Sequence, residues 1–119
     1  MNKIEVSQKY QIPIKILNEY ESWGLCDAVK IVMGQWQYDD TDLERLSTIM
    51  TLHNIGFENK EIEHYMRLLL EVNDSQQTRI DFLTQKRKAK LALIHQQEKQ
   101  LEKIDYMCHE IKNKSKEVL

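Results

Sequence analysis

The sequence predicts a mostly α-helical chain: a head of four short helices with one small β-hairpin, followed by one long helix. Three observations predict it. All three glycines, Gly24, Gly34 and Gly56, fall between segments of apolar periodicity, where they punctuate elements. Residues 76–114 contain neither Gly nor Pro and are rich in Lys, Gln, Glu and Leu. Between these regions lies a β-favouring run, Ala28-Val29-Lys30-Ile31-Val32. Met33-Gly34 can turn it back, and Gln35-Trp36-Gln37-Tyr38 then alternates polar and aromatic residues.

Taken in order, Lys3 to Lys9 forms a short helix with Ile4 and Val6 as its apolar positions. Tyr10-Gln11-Ile12 is a tight connection. Pro13 suits the first turn of the next helix, where its missing N–H costs nothing. That helix runs to Trp23, with Ile14, Leu17 and Glu21 at helical spacing, and stops at Gly24. Two short helices joined by so tight a turn read as a helix-turn-helix whose second helix is the reader, and the following hairpin reads as a wing.

Asp39 or Asp40 caps the third helix, and Asp42 and Glu44 in its first turn favour the dipole. Leu43, Leu46, Ile49, Met50 and His53 line one face, and Gly56 ends the helix. A fourth helix starts near Asn59, with Ile62, Tyr65, Met66 and Leu69 inward. Asn73-Asp74-Ser75 breaks it and caps the last helix. The boundaries are therefore a winged helix-turn-helix head over 1–72, a hinge at 73–75, a dimerisation helix over 76–114 and a tail at 115–119.

The last helix shows an apolar seam. Ile80, Leu83, Ile94, Leu101, Ile104, Cys108, Ile111 and Val118 recur in steps of mostly three and four, with Arg87, Lys90 and Gln97 as polar lapses. At 1.5 Å per residue the stretch makes a rod of roughly 58 Å. So long a stripe outruns any core the preceding residues could build, and its simplest partner is a second copy. Leu83, Ile94, Leu101, Ile104, Cys108 and Ile111 are the expected dimerisation residues.

Composition narrows the function. Charged residues make up 30% and apolar residues 41%, as suits a helical protein in water. No uninterrupted apolar run approaches the ~18 residues of a membrane span, and the N-terminus lacks the apolar core of a signal peptide. A cytoplasmic location with no membrane partner is the expectation. Cys26 and Cys108 lack CxxC spacing and are expected as free thiols. Residues 1–60 carry −3, residues 61–75 again −3 and residues 76–119 +4. A nucleic-acid-binding head normally concentrates positive charge, and this one does not.

In element order and in motif spacing the chain resembles the MerR family of transcription regulators. Leu17, Tyr20-Glu21 and Gly24-Leu25 stand where the family has T-L-R-Y-Y-E-x-x-G-L. Gly34, Tyr38, Asp42-Leu43 and Arg45-Leu46 match G-Y-R-x-Y followed by D-L-x-R-L. Ile55-Gly56-Phe57 and Glu61-Ile62 match L-G-F-S-x-x-E-I. Leu101 to Tyr106 looks like the end of the dimerisation helix in short members. The resemblance implies a homodimer through an antiparallel coiled coil. It also implies double-stranded DNA as partner, with each head over half of a palindromic promoter site, and distortion of that site so that RNA polymerase can engage it. An effector held near the long helix would switch the distortion. Its identity is unknown, and with no effector domain after that helix it must be small or bind at the dimer interface.

Several family residues are replaced. The Arg and first Tyr of T-L-R-Y-Y-E are Asn18 and Glu19. The Tyr and Arg of G-Y-R are Gln35 and Trp36, the wing arginine is Lys30, and the capping Ser is Glu58. Asn18 can still grip adenine, whereas Glu19 sets a negative charge where a phosphate would lie. The expected DNA contacts are Lys15, Asn18, Tyr20, Lys30, Tyr38 and Lys60. Plainer readings stand beside them: Tyr20 and Tyr38 as core, the three lysines as solvated surface, Asn18 as an exposed helix residue. Trp36 is expected to pack rather than intercalate.

Cys108-His109 invites a metal reading. A zinc or copper site needs three or four converging ligands, adjacent helical residues point about 100° apart, and residues 73–78 hold no Cys or His. No metal and no cofactor are expected. Lys86-Arg87-Lys88-Ala89-Lys90 reads as a solvated basic face, with contact to phosphate or to an acidic head as the alternative. No nucleophile–base set, phosphate loop or carboxylate pair marks an enzyme. Two function classes remain: a dimeric DNA-binding regulator, and a relative that has drifted into a protein-interaction module. The acidic head and lost arginines favour the second, the intact scaffold and the Lys15/Asn18/Tyr20 face the first.

Overall fold

In the computed structural model of the chain, which describes residues 1–26 and 30–117, the head and the long helix form two separate compact units. The head contains α1 (Lys3–Tyr10), α2 (Ile14–Ser22), strands β1 (Ile31–Val32) and β2 (Gln35–Trp36), α3 (Asp40–Ile55) and α4 (Asn59–Glu71). The second unit begins at Gln77, one residue into α5 (Gln76–Glu117). The expected strand residues Ala28 and Val29 lie outside the described residues.

Local chemistry sets each boundary. Asn2 caps α1: its side chain accepts from the Glu5 N–H at 2.9 Å, and the Glu5 carboxylate accepts in return from the Asn2 N–H at 3.2 Å. The turn to α2 passes through Gln11 at φ 55, closed by Ile12 N–H on the Ser7 carbonyl at 3.2 Å and by the Ser7 hydroxyl on the Ile12 carbonyl at 2.7 Å. Pro13 sits just before α2, at the cap rather than inside the first turn. Asp39, not Asp40, caps α3 in a reciprocal pair with Asp42. Glu58 stands at the cap of α4, where the Glu61 carboxylate reaches back to the Glu58 N–H at 3.0 Å.

The wing is a two-residue hairpin, with Ile31 opposite Trp36 and Val32 opposite Gln35. Its turn residues Met33 (φ 53) and Gly34 (φ 79) are both left-handed, as the right-handed strand twist requires. Glycine takes such a φ freely; for Met33 it costs on the order of 1 kcal/mol.

One core holds the head. Its buried apolar residues are Val6 of α1, Ile12 of the turn, Ile16, Leu17 and Tyr20 of α2, Leu46, Ile49 and Leu52 of α3 and Ile62 and Met66 of α4, and Trp23, Leu25, Tyr38 and Phe57 from the connections complete the set. A fully buried Leu contributes roughly 1.5–3 kcal/mol by leaving water. The inward face of α2 is thus Ile16-Leu17-Tyr20, and Ile14 stays exposed because it precedes that face by half a turn. On α1 only Val6 is buried, and Ile4 is exposed. On α3 the buried stripe is Asp42, Leu46, Ile49 and Leu52, with Leu43, Met50 and His53 half-buried beside it. On α4 Tyr65 and Leu69 are half-buried.

Three polar ties help to close the head, two of them between residues far apart in sequence. The Met1 ammonium donates to the Tyr38 carbonyl at 3.1 Å, and the Tyr38 N–H to the Met1 carbonyl at 2.7 Å. Arg67 Nη2 of α4 donates to the Trp23 carbonyl at the end of α2, 2.9 Å away. The Ser75 hydroxyl donates to the Leu68 carbonyl at 2.7 Å, across the Asp74 turn (φ 55). By itself α5 is an unbroken helix of 42 residues, about 63 Å long. Among the described residues no helix is long and apolar enough to cross a membrane.

Candidate nucleic-acid interface

Helix α2 divides its residues between core and solvent. Ile16, Leu17 and Tyr20 take the inner face, so Lys15, Asn18 and Ser22, at the complementary helical angles, stand exposed on the outer one. Lys3 of α1 reaches across: its Nζ donates to Asn18 Oδ1 at 2.6 Å and pairs with Glu21 Oε2 at 2.8 Å. Asn59 Nδ2 donates to Glu19 Oε1 at 2.7 Å. Glu19 is therefore half-buried against the first turn of α4 rather than free over the reading surface, and the exposed Lys60 follows directly. Lys15 and Asn18 thus share the outer face of α2, and Lys60 adjoins the Asn59 that bonds to that helix.

Tyr20, Lys30 and Tyr38 sit elsewhere, and the placement of the two tyrosines matches the plainer reading of them as core. Tyr20 is 1% exposed and its hydroxyl hydrogen goes to Asp42 Oδ1 at 2.6 Å. Tyr38 is 4% exposed, packed beside Tyr20 and Trp36 with ring centroids 6.5 and 6.0 Å apart. The Lys30 side chain is 11% exposed; its ammonium pairs with Asp42 Oδ2 at 3.0 Å and with Asp39 Oδ2. In all three, the polar group that a phosphate would meet is turned into the protein. Trp36 packs as expected, edge-on to Tyr20 at 6.2 Å.

The centre of this arrangement is Asp42, 0% exposed. One carboxylate oxygen takes the Tyr20 hydroxyl; the other takes the Asp39 N–H at 3.0 Å and the Lys30 ammonium. Cys26 Sγ lies 3.6 Å from Asp42 Oδ1, and Arg45 Nη1 lies 3.5 Å from Cys26 Sγ. One buried acid therefore joins α2, the base of the wing and the start of α3. In the sequence Asp42 reads as a first-turn acid and as part of the D-L-x-R-L match, not as a buried centre. The signal available was its place three residues after the cap, the spacing of a reciprocal cap pair.

The electrostatics follow. Burial pushes the Tyr20 hydroxyl far up, and the Asp42 carboxylate adds to this. Burial also raises Tyr38, helped by the nearby Glu21 charge. For Lys30 burial acts downward, but the carboxylates of Asp39 and Asp42 outweigh it and the pKa ends above its ordinary value. Asp39 is held down at about 2 by the Lys30 ammonium and then by the Asp42 N–H.

On α5, Ile94, Leu101, Ile104, Cys108 and Ile111 are exposed and Leu83 is half-buried, along the predicted seam. Leu91, Leu93, Tyr106 and Met107, outside the heptad frame, are exposed as well. Cys108 is a free thiol and His109 Nε2 lies 3.0 Å from Asn113 Nδ2. Among the described residues no three His, Cys, Asp or Glu side chains group as metal ligands.

Comparison with known proteins places the scaffold. Residues 3–69 match the family described as MerR HTH family regulatory protein. A Haemophilus influenzae protein named "Probable heavy metal-dependent transcriptional regulator" is 32% identical over 106 residues, covering 87% of this chain and 79% of that protein. Among solved structures, HiNmlR, a MerR family regulator lacking the sensor domain and bound to promoter DNA, aligns with a TM-score of 0.65 at 22% identity, covering 88% of this chain and 84% of the other. A MerR family regulator from Bacillus thuringiensis aligns with a TM-score of 0.61 at 22% identity, covering 92% and 97%. The family match spans most of the head and the 32% relative covers 87% of the chain: the chain belongs to the MerR family of helix-turn-helix transcription regulators, which are not enzymes.

Proposed function

We propose that the protein acts as a homodimer that binds a palindromic promoter site and distorts it, with RNA polymerase as the partner that reads the distortion. The observation that carries this reading is the outer face of α2. Lys15 and Asn18 are exposed there, and Asn59 seats the first turn of α4, with Lys60, against the same helix. Lys15 and Lys60 would neutralise phosphates, and Asn18 would read a base edge in the major groove. Tyr20, Lys30 and Tyr38 would act from beneath by fixing the wing against α2. The stripe of Leu83, Ile94, Leu101, Ile104, Cys108 and Ile111 would close an antiparallel coiled coil with a second copy, setting the two heads at the half-site spacing. Cytoplasmic location follows from this reading.

The second reading, a protein-interaction module, is favoured by one specific feature: the head carries −3 over residues 1–60, and Asn18 Oδ1 is already occupied by Lys3. Selection of bound sequences from random duplex DNA with the purified protein separates the two. Enrichment of an inverted repeat supports the regulator. Recovery of no sequence above background at low salt assigns the fold to protein contact instead.

A further inference from the structure

The tip of the wing is apolar and exposed. Ile31 and Val32 are exposed along β1, and Met33 at the apex is 99% exposed. Residues 31–36 carry no charge at all. Met33 also holds a left-handed φ of 53 at a turn position that favours Asn or Gly. A large apolar side chain is thus kept fully in water, in a conformation disfavoured for it. Strain of this kind at a fully exposed apex points to use.

We propose that this tip is an apolar wedge for the minor groove of duplex DNA, with Met33 as the inserted side chain. The inference rests on the DNA-binding reading above and deepens it. Continuity with the α2 surface supports it. Asn2, Lys3, Ile4, Glu21, Gly34, Gln35 and Trp36 line one cleft of about 280 Å³, and Lys3 in that cleft is bonded to Asn18. The wing turn and the outer face of α2 therefore border one surface. With α2 in the major groove, the groove beside it is the minor one.

The chemistry of the tip fits that groove rather than the backbone. Uncharged residues cannot neutralise phosphate, whereas the walls of the minor groove are sugar C–H edges. Its floor presents acceptors, which the Gln35 amide can meet as a donor. Apolar side chains driven into minor-groove steps unstack them and bend the duplex. A protein partner fits less well. Three apolar residues on a hairpin with two-residue strands fall far short of the roughly 800 Å² per side that a stable protein interface buries. A single protruding side chain suits a groove about 6 Å wide.

The test uses the full chain on a selected duplex labelled at both ends, with affinity read by anisotropy across a salt series and bending by energy transfer. Met33→Asn is the informative variant, because Asn suits the turn and removes only the apolar wedge. It should weaken binding about tenfold and straighten the duplex, with the salt slope unchanged because no phosphate contact is lost. Met33→Leu should bind and bend as the wild type does. Wild-type affinity and bending in Met33→Asn would overturn the wedge while leaving the DNA-binding reading intact. So would an equal loss in Met33→Leu, which would make the effect one of the turn. If the wild type prefers no duplex over a scrambled one, the DNA-binding reading and the wedge fall together.

Discussion

The Tyr20 hydroxyl of α2 donates to Oδ1 of the fully buried Asp42 of α3 at 2.6 Å, a bond between residues 22 apart in sequence. It fixes the reading helix to the helix that follows the wing. Asp42→Ala leaves the Lys30 ammonium beneath the wing without its buried partner. It should destabilise the protein by roughly 3–5 kcal/mol. Tyr20→Phe removes one bond to a charged acceptor and should cost about 1.5–3 kcal/mol. Urea unfolding of both single variants and the double variant checks this. Strict additivity of the two losses would contradict a direct coupling.

The cap of α3 has a pH signature. The Asp39 carboxyl is held at about 2 against an ordinary 3.8. A lowered folded pKa contributes stability that is complete above the unfolded value and is lost as pH falls through the folded one. The contribution should therefore fade between pH 3.8 and about 2. Asp39→Asn can still cap the helix but does not titrate, so its stability should fall less steeply across that window. Parallel acid limbs for the two proteins would refute the assignment.

The seam of α5 predicts a homodimer. Ile104→Asp sets a charge within the exposed apolar stripe and should yield monomers or unfolded chains. Sedimentation at roughly micromolar concentration reads the outcome directly, and a folded wild-type monomer there would rule out the coiled coil.

On DNA, the exposed and buried lysines should behave differently. Lys15→Ala and Lys60→Ala should each flatten the slope of log K against log salt by about one unit per half-site, with the preferred sequence unchanged. Lys30→Ala should instead lower thermal stability, since its ammonium serves Asp39 and Asp42. Asn18→Ala should relax preference at one base position at a cost of roughly 1–3 kcal/mol. A uniform loss across all sequences for Asn18→Ala would show that it does not read a base.

For metal, residues 73–78 supply no Cys or His to join Cys108 and His109. Titration with cobalt should give no tight stoichiometric site. Strong thiolate bands that vanish in Cys108→Ser would reverse this expectation.

What the sequence by itself determined was the order and kind of elements. Gly24, Gly34 and Gly56 mark boundaries through left-handed backbone that glycine adopts without strain, and this information is local. The long helix α5 was legible for the same reason, since a run without Gly or Pro is a property of one segment. The family resemblance, carried by short motifs at fixed spacings, was legible too. Tertiary structure alone decided which side chains face inward and what they touch. Tyr20, Lys30 and Tyr38 sit in the motif like reading residues, yet they converge on Asp42, because a buried carboxylate must be paired and residues far apart in sequence supply the partners. Glu19 likewise looked like a charge aimed at phosphate until Asn59, forty residues on, took its oxygen. A periodicity says which face of a helix is apolar. Only the packing of the other elements against it says which polar groups lose their water, and so which remain free to meet a partner.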